Sequence, residues 1–246
     1  MSTCSSASCS WRVRDDERRR PSQGASYFPS GGSAVEIAAT VGVPNPRFIE
    51  PVTLTGAHAT VEPLAREHEG AIREAAADGE LWKLWYTSVP APTKTSAWLD
   101  IALDMRERLG AMPFVVRDKA SGDIVGSTRY FNVDAANRRL EIGHTWYARR
   151  AQRTAINTEC KLLLLTHAFE TLRCIAVEFR THWFNHRSRE AILRLGAKQD
   201  GVLRNHQVLP DGSKRDTVVF SIIDGEWAAV KAHLRWLLER PSAKSR

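Results

Sequence analysis

From residue 148 to residue 165 the sequence reads ARRAQRTAINTECKLLLL, a basic, hydroxyl-rich turn running into a leucine-rich helical pattern. A helix that begins directly after a strand leaves the N–H groups of its first turn without partners. Together with the positive end of the helix dipole, these groups stabilise a bound phosphate. Gln152 to Asn157 is where that would happen. Arg149, Arg150 and Arg153 would add charge, and Thr154, Asn157 or Thr158 could cap the helix or reach an oxygen. The same residues also make an ordinary helix entry, so the spacing alone leaves two readings: an anion site, or a solvated connection to a core helix.

The elements around this turn follow from periodicity. Val52 to Leu64 alternates as a strand or pair of strands does, and REHEGAIREAAADGELWKLW reads as helix interrupted at Gly79. TKTSAWLDIALDMRERLG has a hydroxyl start, an amphipathic body and a glycine stop, which makes a second helix. Three strand-like runs come next, PFVVRDKASGD, IVGSTRYFNVDAAN and RRLEIGHTWY, with turns at Ser121-Gly122-Asp123 and Asp134 to Asn137. The basic turn then opens a helix expected over Asn157 to Leu172, with Leu162, Leu165, Phe169 and Leu172 on its core face and Glu159, Thr166, Glu170 and Arg173 largely elsewhere. IAVEFRT is a strand, and NHRSREAILRLGA is a helix opened by Asn185 and closed by Gly196. GVLRNHQVLPDGSKRDTVVFSII is a hairpin turning at Pro210-Asp211-Gly212, and DGEWAAVKAHLRWLLER is a final helix.

Composition bounds the partners. The 246 residues are 43% hydrophobic and 26% charged, which excludes whole-chain disorder. A net charge of +7 and a pI near 9.5 favour an anionic partner, a phosphorylated small molecule as readily as nucleic acid. Cys4, Cys9, Cys160 and Cys174 have neither zinc-ligand nor disulfide-framework spacing, so a reduced cytoplasm is the simplest compartment. No apolar run of about 18 residues predicts a membrane span. Residues 1 to 45 are rich in Ser, Gly, Pro and Arg and read as a poorly ordered tail, with the folded domain over residues 46 to 246.

A meander feeding a phosphate-binding turn, then helix, strand, Asn-x-x-Ser and helix resembles the GCN5-related N-acetyltransferase superfamily. That family has a Q/R-x-x-G-x-G/A turn between its fourth strand and third helix, and QRTAIN occupies that place. Gln152 keeps the first position, Ala155 stands for the first Gly, and Asn157 stands for the final Gly or Ala. The segments NTE-K-LLL-HAFE, N-RS--AI-RLGA and GVLR-H-V--DG--RDTV-FSI---EW are similar to the branch containing ribosomal-protein N-terminal acetyltransferases, nearly continuously over residues 157 to 227. Ala155 adds a methyl group, tolerated where its φ is negative. Asn157 accepts left-handed conformations better than most residues, or caps the helix.

The resemblance implies an α/β (α+β) fold with a mixed, mostly antiparallel central sheet flanked by helices. It implies acetyl-CoA as co-substrate and direct transfer to a primary amine, on a small molecule or a protein N-terminus, in a ternary complex. Pyrophosphate would meet Gln152, Arg153, Thr154, Ala155, Ile156 and Asn157. The pantetheine arm would lie along the backbone of Thr145, Trp146 and Tyr147, where LEIGHTWY splays from IAVEFRT. Asn185 would hold pantetheine and Ser188 would meet the departing thiolate. Glu141 is the leading candidate base, acting through water; its bland alternative is a surface carboxylate paired with Arg138 or Arg139. His144, on the opposite face if the strand is regular, is the second candidate and His182 a weaker third, while His167 reads as a solvent-facing helix residue. Trp82, Trp85 and Tyr86 wall an acceptor slot or pack the core, and RNHQVLPDG would line the other side. The competing readings are a degenerate fold that binds acyl-CoA without chemistry and a basic ribosome- or RNA-associated module. Nucleic acid is the less favoured partner, because the clearest basic cluster lies where the cofactor accounts for it. A monomer and a homodimer both fit, and no metal is called for.

Overall fold

The alternation and breaks in the sequence produce thirteen regular elements in a computed structural model that describes residues 48–87 and 89–240. The expected tail, residues 1 to 45, lies outside the described residues. In chain order the elements are β1 (Leu54–Thr55), β2 (Ala59–Pro63), α1 (Glu69–Ala77), α2 (Thr95–Leu109), β3 (Met112–Asp118), β4 (Ile124–Asp134) and β5 (Arg139–Tyr147). They continue with α3 (Ala155–Thr166), β6 (Ala176–His182), α4 (His186–Arg194), β7 (Lys198–Val208), β8 (Lys214–Ile223) and α5 (Asp224–Glu239). The strands form one sheet in the order β1-β2-β3-β4-β5-β6-β8-β7. Every pairing is antiparallel except β5 with β6.

Helices cover both faces, which is why β3 reads as a continuous apolar run rather than an alternating one. Phe114, Val116, Tyr130, Leu140, Ile142, Val177, Phe179 and Phe220 share a core with Leu164 and Leu165 of α3 and Trp227 of α5. On the other face Val115, Ile124 and Trp146 pack with Ile72 of α1 and Leu99 of α2. The helix after the turn starts two residues earlier than its leucine pattern predicts, because Thr154 caps it: the Thr154 hydroxyl accepts the Ile156 N–H. It ends in a π-helical turn, His167–Thr171.

Two irregularities in the β4–β5 ladder shape the centre of the sheet. Ser127 opposes Trp146 and Arg129 opposes Gly143, so Thr128 alone faces His144 and Thr145, and β5 bulges there with His144 at φ 49°. Phe131 opposes Glu141 and Asp134 opposes Arg139, so β4 carries the extra residue at Asn132 and Val133, with Asn132 at φ 47°. The β5 bulge reverses the side-chain alternation. Leu140, Ile142 and Tyr147 enter the α3 core, and Trp146 turns to the α1–α2 core.

Candidate active site

The β5–β6 pair is registered over three residues only, Arg139 to Glu141 against Ala176 to Glu178. Beyond that point, among the described residues, the strands part, and the β6-facing backbone edge of β5 from Ile142 to Tyr147 is unpaired with β6. The chain leaves this edge through a short 3-10 turn, Arg149–Ala151, and enters α3. Gln152 Nε2 donates to the Tyr147 carbonyl at 3.0 Å, which ties the turn to the end of the strand. The positive φ required here falls on Arg153, at 61°, and not on Ala155 or Asn157, both of which lie inside α3. The two glycine replacements therefore impose no left-handed strain. Of the three arginines, Arg150 is tied to Asp78, its backbone N and Nη1 at 3.1 and 3.2 Å from Oδ2. Arg149 and Arg153 are exposed, and Arg153 is the nearer of the two in sequence to the helix start.

Glu141 sits at the point where the strands part. It is not a surface carboxylate: its side chain is buried, and Arg139 pairs with Glu178 instead. Asn132 Nδ2 donates to Glu141 Oε2 at 2.9 Å, and Arg180 Nε lies 3.4 Å from the same oxygen while its Nη2 holds Glu178 at 2.8 Å. Burial dominates these partners and raises the Glu141 pKa to about 7, a range in which a carboxylate can both take and release a proton. A cleft of about 490 Å³ is lined by Asn132 and Arg180, the two groups that hold it, with Asp134, Asn137, Arg139 and Glu178 among the others.

His144 corrects the expectation of an opposite-facing residue. The bulge brings its ring edge-on to Phe131, centroids 4.8 Å apart, and Phe131 is the cross-strand partner of Glu141. Gly143 is what permits this, since a Cβ there would meet Phe131 Cε1 at 2.6 Å. Burial, with Arg129 and Arg215 nearby, lowers the His144 pKa to about 3, so it accepts a proton far less readily than Glu141. His182 is also unsuited to act as a base. Its Nδ1 accepts the Phe184 N–H at 3.1 Å, which puts the proton on Nε2.

Three comparisons bear on this geometry. A family model described as an acetyltransferase (GNAT) domain matches residues 58–198, more than half of the chain. The chain belongs to the GNAT acetyltransferase family. A GCN5-related N-acetyltransferase from Brucella melitensis superposes with a TM-score of 0.71 at 29% identity, over 78% of this chain and 87% of that one. Mycobacterium smegmatis RimJ, solved in complex with CoA-disulfide, shares the fold with a TM-score of 0.64 at 21% identity, over 76% and 95% of the two chains. Bacillus subtilis (strain 168) YdaF, provisionally named a ribosomal N-acetyltransferase, is 31% identical over 110 residues, 45% of this chain and 59% of that protein. The chain thus spans less than two thirds of this curated relative.

The GNAT domain places the remaining predicted residues unevenly. Trp146 and Tyr147 are buried as core aromatics, so only their backbone is left at the unpaired edge of β5. Asn185 caps α4, its Oδ1 accepting the Ser188 N–H at 3.1 Å, and Ser188 is half-buried in the first turn. Trp85 and Tyr86 gather with Phe184 around His182, Trp85 edge-on to the imidazole at 4.8 Å. Trp82 is exposed and carries Lys83 Nζ 5.3 Å from its ring.

Several GNAT residues escaped the sequence reading. Glu159, placed off the core face, is buried. Its carboxylate accepts the N–H groups of Ala57, His58 and Ala59 at 2.7, 2.6 and 2.7 Å. Lys161 is buried too, its Nζ 3.1 Å from Thr145 Oγ1 and 3.4 Å from Thr128 Oγ1. His167 is not solvent-facing; it stacks on Tyr130 with centroids 6.0 Å apart, and burial lowers its pKa. Both charged residues fall within the NTE-K run, where charge interrupts a leucine helix, and that interruption was the available signal. Asn132, Arg180 and Arg215 gave none.

Proposed function

We propose that the protein is an N-acetyltransferase that moves the acetyl group of acetyl-CoA directly to a primary amine in a ternary complex. The observation that carries this reading is the parting of β5 and β6 at Glu141, with the unpaired edge of β5 leading into the capped start of α3. Acetyl-CoA supplies the thioester carbon that the amine nitrogen attacks, the C–N bond forming as the C–S bond breaks. The free N–H groups at the start of α3 and the charge of Arg153 would hold its pyrophosphate, and the backbone of Thr145 to Tyr147 would bond its pantetheine arm. Glu141 removes the amine proton, through water. A backbone N–H near Thr145 or Trp146 stabilises the developing oxyanion, and the Ser188 hydroxyl donates to the departing thiolate. Asn185 spends its Oδ1 on the helix cap, leaving its Nδ2 for the pantetheine.

The acceptor is an amine on a small molecule or a protein N-terminus, and the provisional name of YdaF favours the latter. The domain carrying this activity begins near residue 46. Thermal unfolding with and without acetyl-CoA tests the reading, because a ligand that binds only the native state must raise its midpoint. At a hundred times Kd the gain is about 2.7 kcal/mol, or about 5–10 °C for a domain of this size. No shift at saturating acetyl-CoA, with no calorimetric heat, would remove the catalytic reading.

A further inference from the structure

One nitrogen on the acceptor side has no task in the transfer of the acetyl group. With the Phe184 N–H on Nδ1, His182 carries its proton on Nε2, and that atom is buried without a hydrogen-bond partner in a ring only 3% exposed. A buried donor left unmatched destabilises the fold, and native interiors hold few of them. None of its ring neighbours accepts this proton: Trp85, Tyr86 and Phe184 surround it at centroid distances of 4.8, 6.3 and 5.7 Å.

Register locates this donor relative to the chemistry. Glu178 pairs with Glu141, and His182 lies four residues further along β6, on the same face as Glu178 and Arg180. The His144–Thr145 bulge lies the same distance along β5, so the imidazole stands across the parted strands from the bulge. Thr217 is directly opposite His182 on β8, and Arg215 follows two residues away on that face. The Arg215 guanidinium donates to Thr217 Oγ1 at 3.0 Å and, among the described residues, has no carboxylate within ion-pair distance. An unmatched neutral donor and a half-buried cation thus lie on the sheet face that carries Glu141, with an aromatic wall around the donor.

We infer that the acceptor is an α-amino acyl compound, its carbonyl-type oxygen receiving the His182 Nε2–H and its side chain lying against Trp85, Tyr86 and Phe184. This rests on the acetyltransferase reading and names its substrate class. An amine, an adjacent oxygen and an apolar branch are what these three features match. A site built around a buried donor discriminates strongly against an analogue lacking the oxygen, because the donor is then left unpaired. The unit occurs in free amino acids and at peptide N-termini, and Arg215 separates the two by favouring a carboxylate.

The test uses the native full chain, acetyl-CoA and thiol release with phenethylamine, phenylalaninamide and phenylalanine, each concentration counted as unprotonated amine. One or both carbonyl compounds should exceed phenethylamine in kcat/KM by about tenfold or more. Phenylalanine ahead of the amide assigns free amino acids, and the reverse order assigns peptide N-termini. His182→Phe should collapse the preference by raising KM for the carbonyl compound, with KM for acetyl-CoA unchanged. Equal kcat/KM for all three in the native protein overturns the inference without reference to any variant. So does an absence of thiol release from the carbonyl compounds when acetyl-CoA raises Tm, and so does a His182→Phe effect confined to acetyl-CoA, which would move His182 to the cofactor side. If acetyl-CoA gives no Tm shift, the acetyltransferase reading itself falls.

Discussion

Asn132 donates its side-chain amide to Glu141 Oε2 at 2.9 Å from a residue in the left-handed region, φ 47°. The bond exists because β4 carries an extra residue opposite Leu140, and that extra residue turns the Asn132 side chain toward the next strand. A second bulge, on β5, begins three residues after Glu141 at His144. The carboxylate is therefore fixed between two breaks in one ladder, at the last residue paired with β6. A regular ladder would present it as one more cross-strand side chain.

The consequence for pH follows from the direction of its titration. Burial holds the Glu141 pKa at about 7, above the ordinary 4.5, so between those values the native state binds more protons than the unfolded one. Stability therefore falls as pH rises through that window and levels off above it. Thiol release, which needs the deprotonated carboxylate, should rise across the upper part of the same range. Glu141→Gln should lose about a hundredfold or more in kcat, abolish the rising limb and gain up to about 3 kcal/mol of stability at pH 8. A variant that keeps the limb near pH 7 would place the base elsewhere.

Most of the architecture was legible because hydrophobic period and turn chemistry agree from Val52 onward. Apolar, strand-like runs between turn residues marked β3 to β6, Asn185 and Gly196 bracketed α4, and Pro210-Asp211-Gly212 marked the hairpin. The basic turn was legible as a helix start, though its left-handed residue, Arg153, was not the one the glycine pattern points to. What could not be read were the bulges, since one extra residue in a ladder leaves no trace in a period-two pattern. Their loss misplaced His144 and hid Asn132. Helical period likewise put Glu159 outside, because a buried carboxylate is stabilised by N–H groups about a hundred residues away that no local pattern reveals.

Lys161 ties α3 to the β5 bulge, with Nζ 3.1 Å from Thr145 Oγ1 in a position where burial lowers its pKa. Thr128 and Thr145 also bond each other at 2.8 Å, so Lys161→Met leaves neither hydroxyl without a partner. The variant should keep its Tm within a few degrees while kcat falls about tenfold, as expected when a bulge that positions reacting groups loses its anchor. A lowered lysine pKa means the unfolded chain holds that proton longer, so native stability rises with pH below the ordinary 10.5, and the variant should lack that rise. A large fall in Tm would make Lys161 a prop for the core rather than a positioning residue.

Glu159 organises the loop between β1 and β2 from below. A Cβ on Gly56 would lie 2.3 Å from Glu159 Cδ, so glycine there is a condition of the three backbone bonds. Glu159→Ala should cost about 3 kcal/mol, or about 6–12 °C in Tm, by orphaning those N–H groups. Gly56→Ala should destabilise by collision with the same carboxylate. The double variant should then lose less than the sum of the two, because the collision disappears with the side chain it strikes. Strict additivity in the melting data would show that the two residues act separately.

Arg153 combines strain and charge at one position, and the two can be separated. At φ 61° a non-glycine residue carries about 1–2 kcal/mol of backbone strain, so Arg153→Gly should unfold at a temperature equal to or above that of the native protein. Both Arg153→Gly and Arg153→Glu remove the cation two residues before α3, and the glutamate adds a charge that would repel pyrophosphate. Calorimetric Kd for CoA should therefore rise in the order native, glycine, glutamate, with the spread narrowing as salt is raised. Strain predicts a different result, since relieving it acts on folding and leaves affinity alone. If Arg153→Gly melts higher yet binds CoA as the native protein does, the N–H groups of the helix start hold the phosphates unaided, and the arginine is only a solvated residue at a turn that glycine would suit better.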